Sequence, residues 1–452
     1  MKKNLLIEKM KKEAIECVET LSTHGLPNLM RTKYIFIKLM WLLLTILSAG
    51  FSVFFILKTL AEYAEYHVTT EVRLINPEEP LEFPTISICN KNRFTTNYSI
   101  ELLTDLLKEN FNLSFADLLH HSDQNRTFLI KYFFEKNESK YLFSNIEINE
   151  REKYGLSLKD ALHYCQFDNK DCNHLDFEWF FNSKYGNCYR FNSNGLKKVK
   201  SDQDNGLVLV FVSKNPKEID ALGFQNGLVI SIDSKNLDTY SDFENKIQIS
   251  TGFETNIKLE KSLFQKYPKP FSNCDFLDES IDSLTPDQQN LYNEIVKSNL
   301  SYSYSLCEVF CRHKLYYQKF SCKFRANSLT VPNVKYCPPS KNLSYLFNEA
   351  NYRQNATDSC IKTCPIECQT IKYNTDISIV RYGKMYYDFI KHEFEKVNHE
   401  IYDINTFKPD DLLILRIFYG SLNYMSYKES RSMTLFDLIS NLGGTLGLFL
   451  GK

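Results

Sequence analysis

Between Lys38 and Lys58 the chain runs from Leu39 to Leu57 without a single charge. About 19 residues at roughly 1.5 Å each reach about 28 Å, close to the hydrocarbon thickness of a bilayer. A segment of this kind splits the chain into two parts on opposite sides of a membrane. The 38 residues before it carry eight Lys/Arg (Lys2, Lys3, Lys9, Lys11, Lys12, Arg31, Lys33, Lys38), and the twenty after it carry Lys58 and Arg73. That asymmetry places residues 1–38 in the cytoplasm and the bulk of the chain outside the plasma membrane. Ser48-Ala49-Gly50 is small enough for a signal-peptide cleavage site, but the apolar run begins late and continues past it, which favours an uncleaved span. A buried core helix is the competing reading.

The orientation constrains the chemistry. Of 13 cysteines only Cys17 precedes the span; the rest begin at Cys89 and would lie in an oxidising space, where they pair while Cys17 stays a thiol. Seven N-glycosylation acceptors also lie beyond the span, at Asn97, Asn112, Asn125, Asn137, Asn299, Asn342 and Asn355. Composition adds exclusions: 54 Lys+Arg against 55 Asp+Glu leaves a formal charge of -1, so no global field favours nucleic acid. With 43% hydrophobic residues, 34 Phe and 28 Tyr, the chain has the material for packed cores.

The far end is apolar again. Residues 438–451 (LISNLGGTLGLFLG) lack charge but number about 14, short of the roughly 17 that span. Glycines at 443, 444, 447 and 451 are poor helix formers in water, whereas the Gly443/Gly447 spacing suits close helix approach in a membrane. This end is expected to be the first part of a second span that the sequence cuts off; a buried helix or amphipathic tail is the alternative.

Between the two, residues 82–90 (EFPTISICN) alternate as a strand, residues 97–120 carry helical periodicity with a possible break near Asn112, and short strand-like runs occupy 206–212, 227–233 and 247–251. Thr285-Pro286-Asp287-Gln288 reads as a capped helix start, and 411–418 (DLLILRIF) as a strand returning toward the membrane. The expected class is an α+β membrane protein with two transmembrane helices, the second incomplete, around one large disulfide-rich mixed α/β exterior. Its expected divisions are 1–38, the span 39–57, an exterior 58–434 forming one body, and 435–452. Cys307 and Cys311, and Cys360, Cys364 and Cys368, recur every four residues; on helices each set forms one stripe, and two antiparallel stripes would pair as rungs. Zinc is the alternative to disulfides, but no His pair lies nearby at ligand spacing and the exterior favours oxidation.

Several motifs in one order resemble the degenerin / epithelial sodium channel family, which includes acid-sensing and pickpocket channels. They are Ser22-Thr23-His24-Gly25 before the span, FPTISICN at 83–90, and Tyr185 to Ser193 (YGNCYRFNS). Phe253-Glu254-Thr255, then Tyr267-Pro268-Lys269-Pro270-Phe271 and Cys274, and finally Gly443 to Gly451 (GGTLGLFLG) complete the set. The resemblance implies a trimeric, amiloride-sensitive sodium channel, homo- or heteromeric with family subunits, that uses no cofactor and performs no covalent chemistry; Na+ is the permeant ion. It implies gating residues His24 and Gly25, an aromatic contact between Tyr66 and Phe271, a gate at Ser440, and a pore and filter at Gly443, Gly444, Gly447 and Gly451. It also implies the disulfides Cys89–Cys188, Cys165–Cys172, Cys274–Cys368, Cys307–Cys364, Cys311–Cys360 and Cys322–Cys337. Lys452 departs from the family's filter, where a small residue is expected, and truncation within the second helix is the favoured explanation. A single-pass receptor or adhesion ectodomain, or a non-conducting accessory subunit, would share the span, acceptor sites and disulfides. A tethered hydrolase is disfavoured because G-x-S-x-G and H-E-x-x-H are absent.

Overall fold

The computed structural model describes residues 10, 13, 16, 25–78, 80–112, 114, 117, 146, 148–182, 184–200, 205–213, 216, 226–234, 246–275, 284–297, 302–321, 355–397 and 408–451. The chain divides into two compact units, one of Met1–Glu71, Lys266–Asn273 and Lys428–Lys452, the other of Val72–Gln265 and Cys274–Tyr427. This differs from the division read from the sequence, since three pieces of the expected exterior group with the helices. The first helix accounts for one of them: it runs Ile35–Ala64, past Leu57, helped by an i,i+4 pair of Lys58 and Glu62 at 3.8 Å.

In the larger unit the principal strands are β1 (Thr85–Asn90), β2 (Leu162–Phe167), β3 (Phe177–Asn182), β4 (Gly186–Phe191), β5 (Leu207–Val212), β6 (Leu228–Asp233), β7 (Lys246–Ile249), β8 (Glu254–Gln265), β9 (Gln369–Val380) and β10 (Leu412–Tyr419). One sheet has the order β7-β6-β1-β4-β3. In the other, β8 pairs β9 antiparallel from Glu254↔Val380 to Gln265↔Gln369 and β10 in parallel, while β10 pairs β5 and β5 pairs β2. Both sheets turn apolar side chains into one core that includes Ile86, Ile88, Phe191, Leu209, Ile257 and Leu415. β5 is buried at every position, which is why its sequence, LVLVFV, is a continuous apolar run, whereas β8 alternates buried Thr255, Ile257 and Leu259 with partly exposed polar neighbours.

The motif at 185–193 is explained by packing. Gly186 has φ +75, and a Cβ there would press on the Arg93 backbone and side chain, so only glycine fits. Asn187, 2% exposed, accepts from the Trp179 indole at 3.2 Å and donates to the carbonyls of Glu152 at 2.6 Å and Leu156 at 3.2 Å. The Tyr189 hydroxyl accepts from the Leu158 N–H at 3.1 Å and donates to the Leu156 carbonyl at 2.9 Å; burial pushes its pKa well above the usual tyrosine value, so it stays a donor. Asn192, at φ +56, donates to Phe83 O at 2.6 Å and accepts from the Lys197 N–H at 3.0 Å. The motif therefore ties the Phe83 segment and the 152–158 turn to β4.

Helices Pro286–Lys297, Tyr304–Phe320 and 355–363 form a second cluster, in which Leu291, Ile295, Leu306 and Phe310 pack against buried cysteines. Gln288 closes its box on the Thr285 N–H at 2.9 Å and also donates to Thr363 O at 2.8 Å. Ser303 caps the second helix at the Leu306 N–H, 3.1 Å, and the Glu367 carboxylate takes the Tyr304 N–H at 2.7 Å. Cys307–Cys364 and Cys311–Cys360 form antiparallel rungs with Cα separations of 5.8 Å each. Cys368 does not continue the stripe: the helix stops at 363 ahead of Pro365, and Cys368 lies just past the two-residue strand Ile366–Glu367, bonded to Cys274. Cys89–Cys188 and Cys165–Cys172 are also bonded. Cys17, Cys322 and Cys337 lie outside the described residues. The helix Asn97–Phe111 ends at Asn112 in the left-handed region, at the break expected there.

In the smaller unit the second apolar helix, Leu435–Leu450, starts with a reciprocal box: the Thr434 N–H donates to Asp437 at 2.9 Å and the Asp437 N–H to the Thr434 hydroxyl at 3.2 Å. It packs beside Ile35–Ala64, where Phe449 stacks on Phe51 and Phe55 at centroid distances of 6.3 and 5.6 Å and the Ser48 hydroxyl donates to the Phe449 carbonyl. Ile35–Ala64 is long and apolar enough to cross a membrane; Leu435–Leu450 is a shorter apolar helix of 16 residues.

Candidate functional site

The smaller unit gathers residues from three distant parts of the sequence. Tyr66 comes just after the first helix with φ +53, a left-handed turn that redirects the chain into the strand Val68–Ile75. Its ring meets Phe271 edge-on at 5.2 Å, and Phe271 in turn meets Tyr267 edge-on at 5.0 Å. The Arg431 guanidinium stands 5.2 Å from the Tyr267 ring centre and 5.1 Å from that of Phe271, and its Nε–H donates to the Tyr267 hydroxyl at 2.9 Å. The Tyr267 backbone N–H donates to the Glu429 carboxylate at 2.9 Å. Around this cluster Thr69 and Ser430 hydroxyls lie 3.1 Å apart, and the Ser432 N–H donates to His67 O at 2.9 Å. A loop, the exit of the first helix and the entry of the second are thus held together by rings and one cation. Tyr66 and Phe271 are expected from the sequence; Tyr267, Glu429 and Arg431 are not, because nothing local marks an Arg in a polar strand as a ring partner.

On the second helix, Ser440 is exposed in the single chain, and Gly443, Gly444 and Gly447 have nothing within 4 Å of where a Cβ would sit. Gly451 ends the helix at φ +75. Gly25, at the start of the short helix Leu26–Arg31, is different: a Cβ there would collide with the Thr45 hydroxyl of the first helix, whose hydrogen bond runs to Trp41 O at 2.6 Å. Gly25→Val is expected to displace the short helix from the first helix. The measurement is cross-linking of a cysteine pair placed on the two helices at positions other than 25 and 45 in the full-length protein, with a loss of about tenfold in yield; an unchanged yield sinks the close-approach argument. His24 lies outside the described residues.

Of the acceptor sites, Asn97, Asn112 and Asn355 are exposed, while Asn125, Asn137, Asn299 and Asn342 lie outside the described residues. Among the described residues no group of three or more His, Cys, Asp or Glu is placed to hold a metal ion.

The described residues thus hold a pair of apolar helices with an aromatic loop in one unit and five disulfides in a mixed α/β unit. The model of the family described as "Amiloride-sensitive sodium channel" matches residues 17–452. The chain belongs to that family. It is 25% identical to acid-sensing ion channel 2 of Homo sapiens over 414 residues, covering 86% of this chain and 73% of that one. Against acid-sensing ion channel 4-B of Danio rerio it is 24% identical over 446 residues, covering 95% and 72%, and against acid-sensing ion channel 1A of Danio rerio 24% over 460 residues, covering 96% and 83%. A solved proton-activated chloride channel aligns with 92% of each chain at 9% identity and a TM-score of 0.32, too low to carry an argument. Ion transport is the activity of the amiloride-sensitive sodium channel family.

Proposed function

We propose that this chain is a subunit of a plasma-membrane cation channel that conducts sodium passively, three copies surrounding one axis. Residues 1–38 lie in the cytoplasm, the first helix crosses once, the disulfide-rich unit is extracellular, and the second helix enters the membrane again from outside. Three second helices line the path, Ser440 forms its gate, and Gly443, Gly444, Gly447 and Gly451 line the narrow part, where pore width and the number of carbonyl ligands decide which ion sheds its water. His24 and Gly25 tune opening from the cytoplasmic side, and Tyr66 with Phe271 relays the external stimulus. Conduction needs no covalent chemistry and no cofactor, so the chain acts as a channel and not as an enzyme.

The observation that carries the reading is the row Gly443, Gly444 and Gly447, open around each Cβ position in the single chain. Glycine weakens a helix by about 1 kcal/mol per residue relative to alanine, a cost without return unless another helix or a passing ion approaches that face. The test is current recorded from oocytes expressing the full-length protein. Sodium outside is expected to carry inward current that vanishes when it is replaced by N-methyl-D-glucamine, and Ser440→Phe is expected to hold the path open without stimulus. Surface-expressed wild type and Ser440→Phe that both pass no sodium-carried current sink the proposal, as does a carboxyl-terminal tag reached by antibody only from outside the cell.

A further inference from the structure

We propose that Arg431 is a positioning residue: it clamps the aromatic loop Lys266–Asn273 to the strand that leads into the second helix, and so sets how far that loop can move without moving the helix. The proposal rests on the channel reading above. Its ground is the geometry around one side chain. The guanidinium lies over two rings of the same loop, Tyr267 at 5.2 Å and Phe271 at 5.1 Å, and spends its Nε–H on the Tyr267 hydroxyl at 2.9 Å. Arginine suits this place because a planar cation can lie on rings and still donate at its edge, which an ammonium does less well. Two residues before it, Glu429 takes the Tyr267 backbone N–H at 2.9 Å, so the loop is fixed at both a ring and a peptide group by one strand. Three residues after it, Thr434 caps the second helix through its box with Asp437, and one residue after it the Ser432 N–H binds His67 O at 2.9 Å beside the exit of the first helix. Phe271 also rests on Tyr66, so the loop touches the end of the first helix through an apolar ring contact and the start of the second through a cation. The apolar contact tolerates sliding; the cation with its directional bond sets the register.

The experiment has two arms on the full-length protein at the cell surface. In the first, trypsin is applied to intact cells and cleavage after Lys266 is monitored by the appearance of a new amino terminus at Tyr267. Arg431→Gln is expected to speed that cleavage about tenfold, and Arg431→Lys and Tyr267→Phe to give intermediate rates, since each keeps part of the clamp. In the second, single-channel open probability at pH 7.4 and pH 5.0 is expected to change at least threefold in Arg431→Gln, with Arg431→Lys restoring at least half of the change. Combining Arg431→Gln with Tyr267→Ala is expected to add less than half of the second variant's own effect. Cleavage and open probability both equal to wild type in Arg431→Gln overturn the clamp. Faster cleavage with unchanged open probability in a conducting wild type overturns its role in opening. No sodium-carried current from either wild type or Ser440→Phe at the cell surface, with faster cleavage in Arg431→Gln, overturns the channel reading itself and takes the gating role with it, an outcome distinct from the other two.

Discussion

Replacing Cys274 and Cys368 together by serine is expected to cut the amount of protein at the cell surface at least about tenfold. These residues are separated by 94 positions, and a cross-link closing a loop of that size removes about 4 to 5 kcal/mol of unfolded-chain entropy in the loop-closure model. Both are buried, at 0% and 2% exposure, so two serine hydroxyls would also need partners in an apolar setting. Even a third of the loop term is about a tenfold change in the ratio of folded to unfolded chain, on which retention and degradation during secretion act. Cys274 comes directly after Lys266–Asn273, the loop that carries Tyr267 and Phe271, and Cys368 directly precedes β9, the long partner of β8. Surface biotinylation of the double variant against wild type reads the effect, and equal surface amounts would mean that the ladder alone suffices. The Cys165–Cys172 pair, with a separation of only 7, is expected to matter much less.

Asn187→Leu is the second large loss. Leucine has the same branching as asparagine, so the substitution opens no cavity; what it removes is one acceptor and two donor bonds at a site 2% exposed. The carbonyls of Glu152 and Leu156 and the Trp179 indole lose a partner together, although the Tyr189 hydroxyl still serves Leu156. A buried polar group left unpaired costs about 1 to 3 kcal/mol, which makes a total of about 3 kcal/mol reasonable for the set. In detergent-purified full-length protein of 452 residues this is expected to lower Tm by about 3 °C. Asn187→Asp keeps the acceptor for Trp179 and loses the donors, so it is expected to be nearly as damaging. A Tm within about 1 °C of wild type in both variants would show that the turn at 152–158 does not depend on this side chain.

Much of the fold can be read along the chain wherever one residue type at one spacing admits few structures. Leu39–Leu57 is charge-free and so marks the first helix, though not its true end at Ala64, because Lys58, Glu62 and their pairing extend the helix beyond the apolar run. β5 stands out because full burial makes it a continuous apolar run, and β6, buried from Leu228 to Ile232, is close to one, interrupted by Ser231. β8 and β9, twelve residues each and joined in a ladder along their whole length, are harder to see: ETNIKLEKSLFQ and QTIKYNTDISIV mix charge with β-branched residues, and their strand state depends on pairing with each other. Cys368 shows the opposite error, in which regular spacing suggests one helix face and Pro365 ends the helix first.

For the aromatic cluster, the contact of Tyr66 with Phe271 is expected from motifs, while the parts of Glu429 and Arg431 in it are not. Composition and order along the chain determined one apolar helix long enough to cross a membrane, a glycine-bearing apolar end, a cysteine-rich region between them, and the resemblance to a channel family. Only the tertiary structure decided which ring meets which, that a cation lies across two of them, and that Gly25 is required by the approach of Thr45. The physical reason is range. Hydrophobic periodicity and backbone preference act over a few residues and are written locally, whereas a cation on an aromatic ring or a missing Cβ against a hydroxyl joins positions that are 20 to 164 residues apart in sequence and becomes visible only after the chain has brought them together.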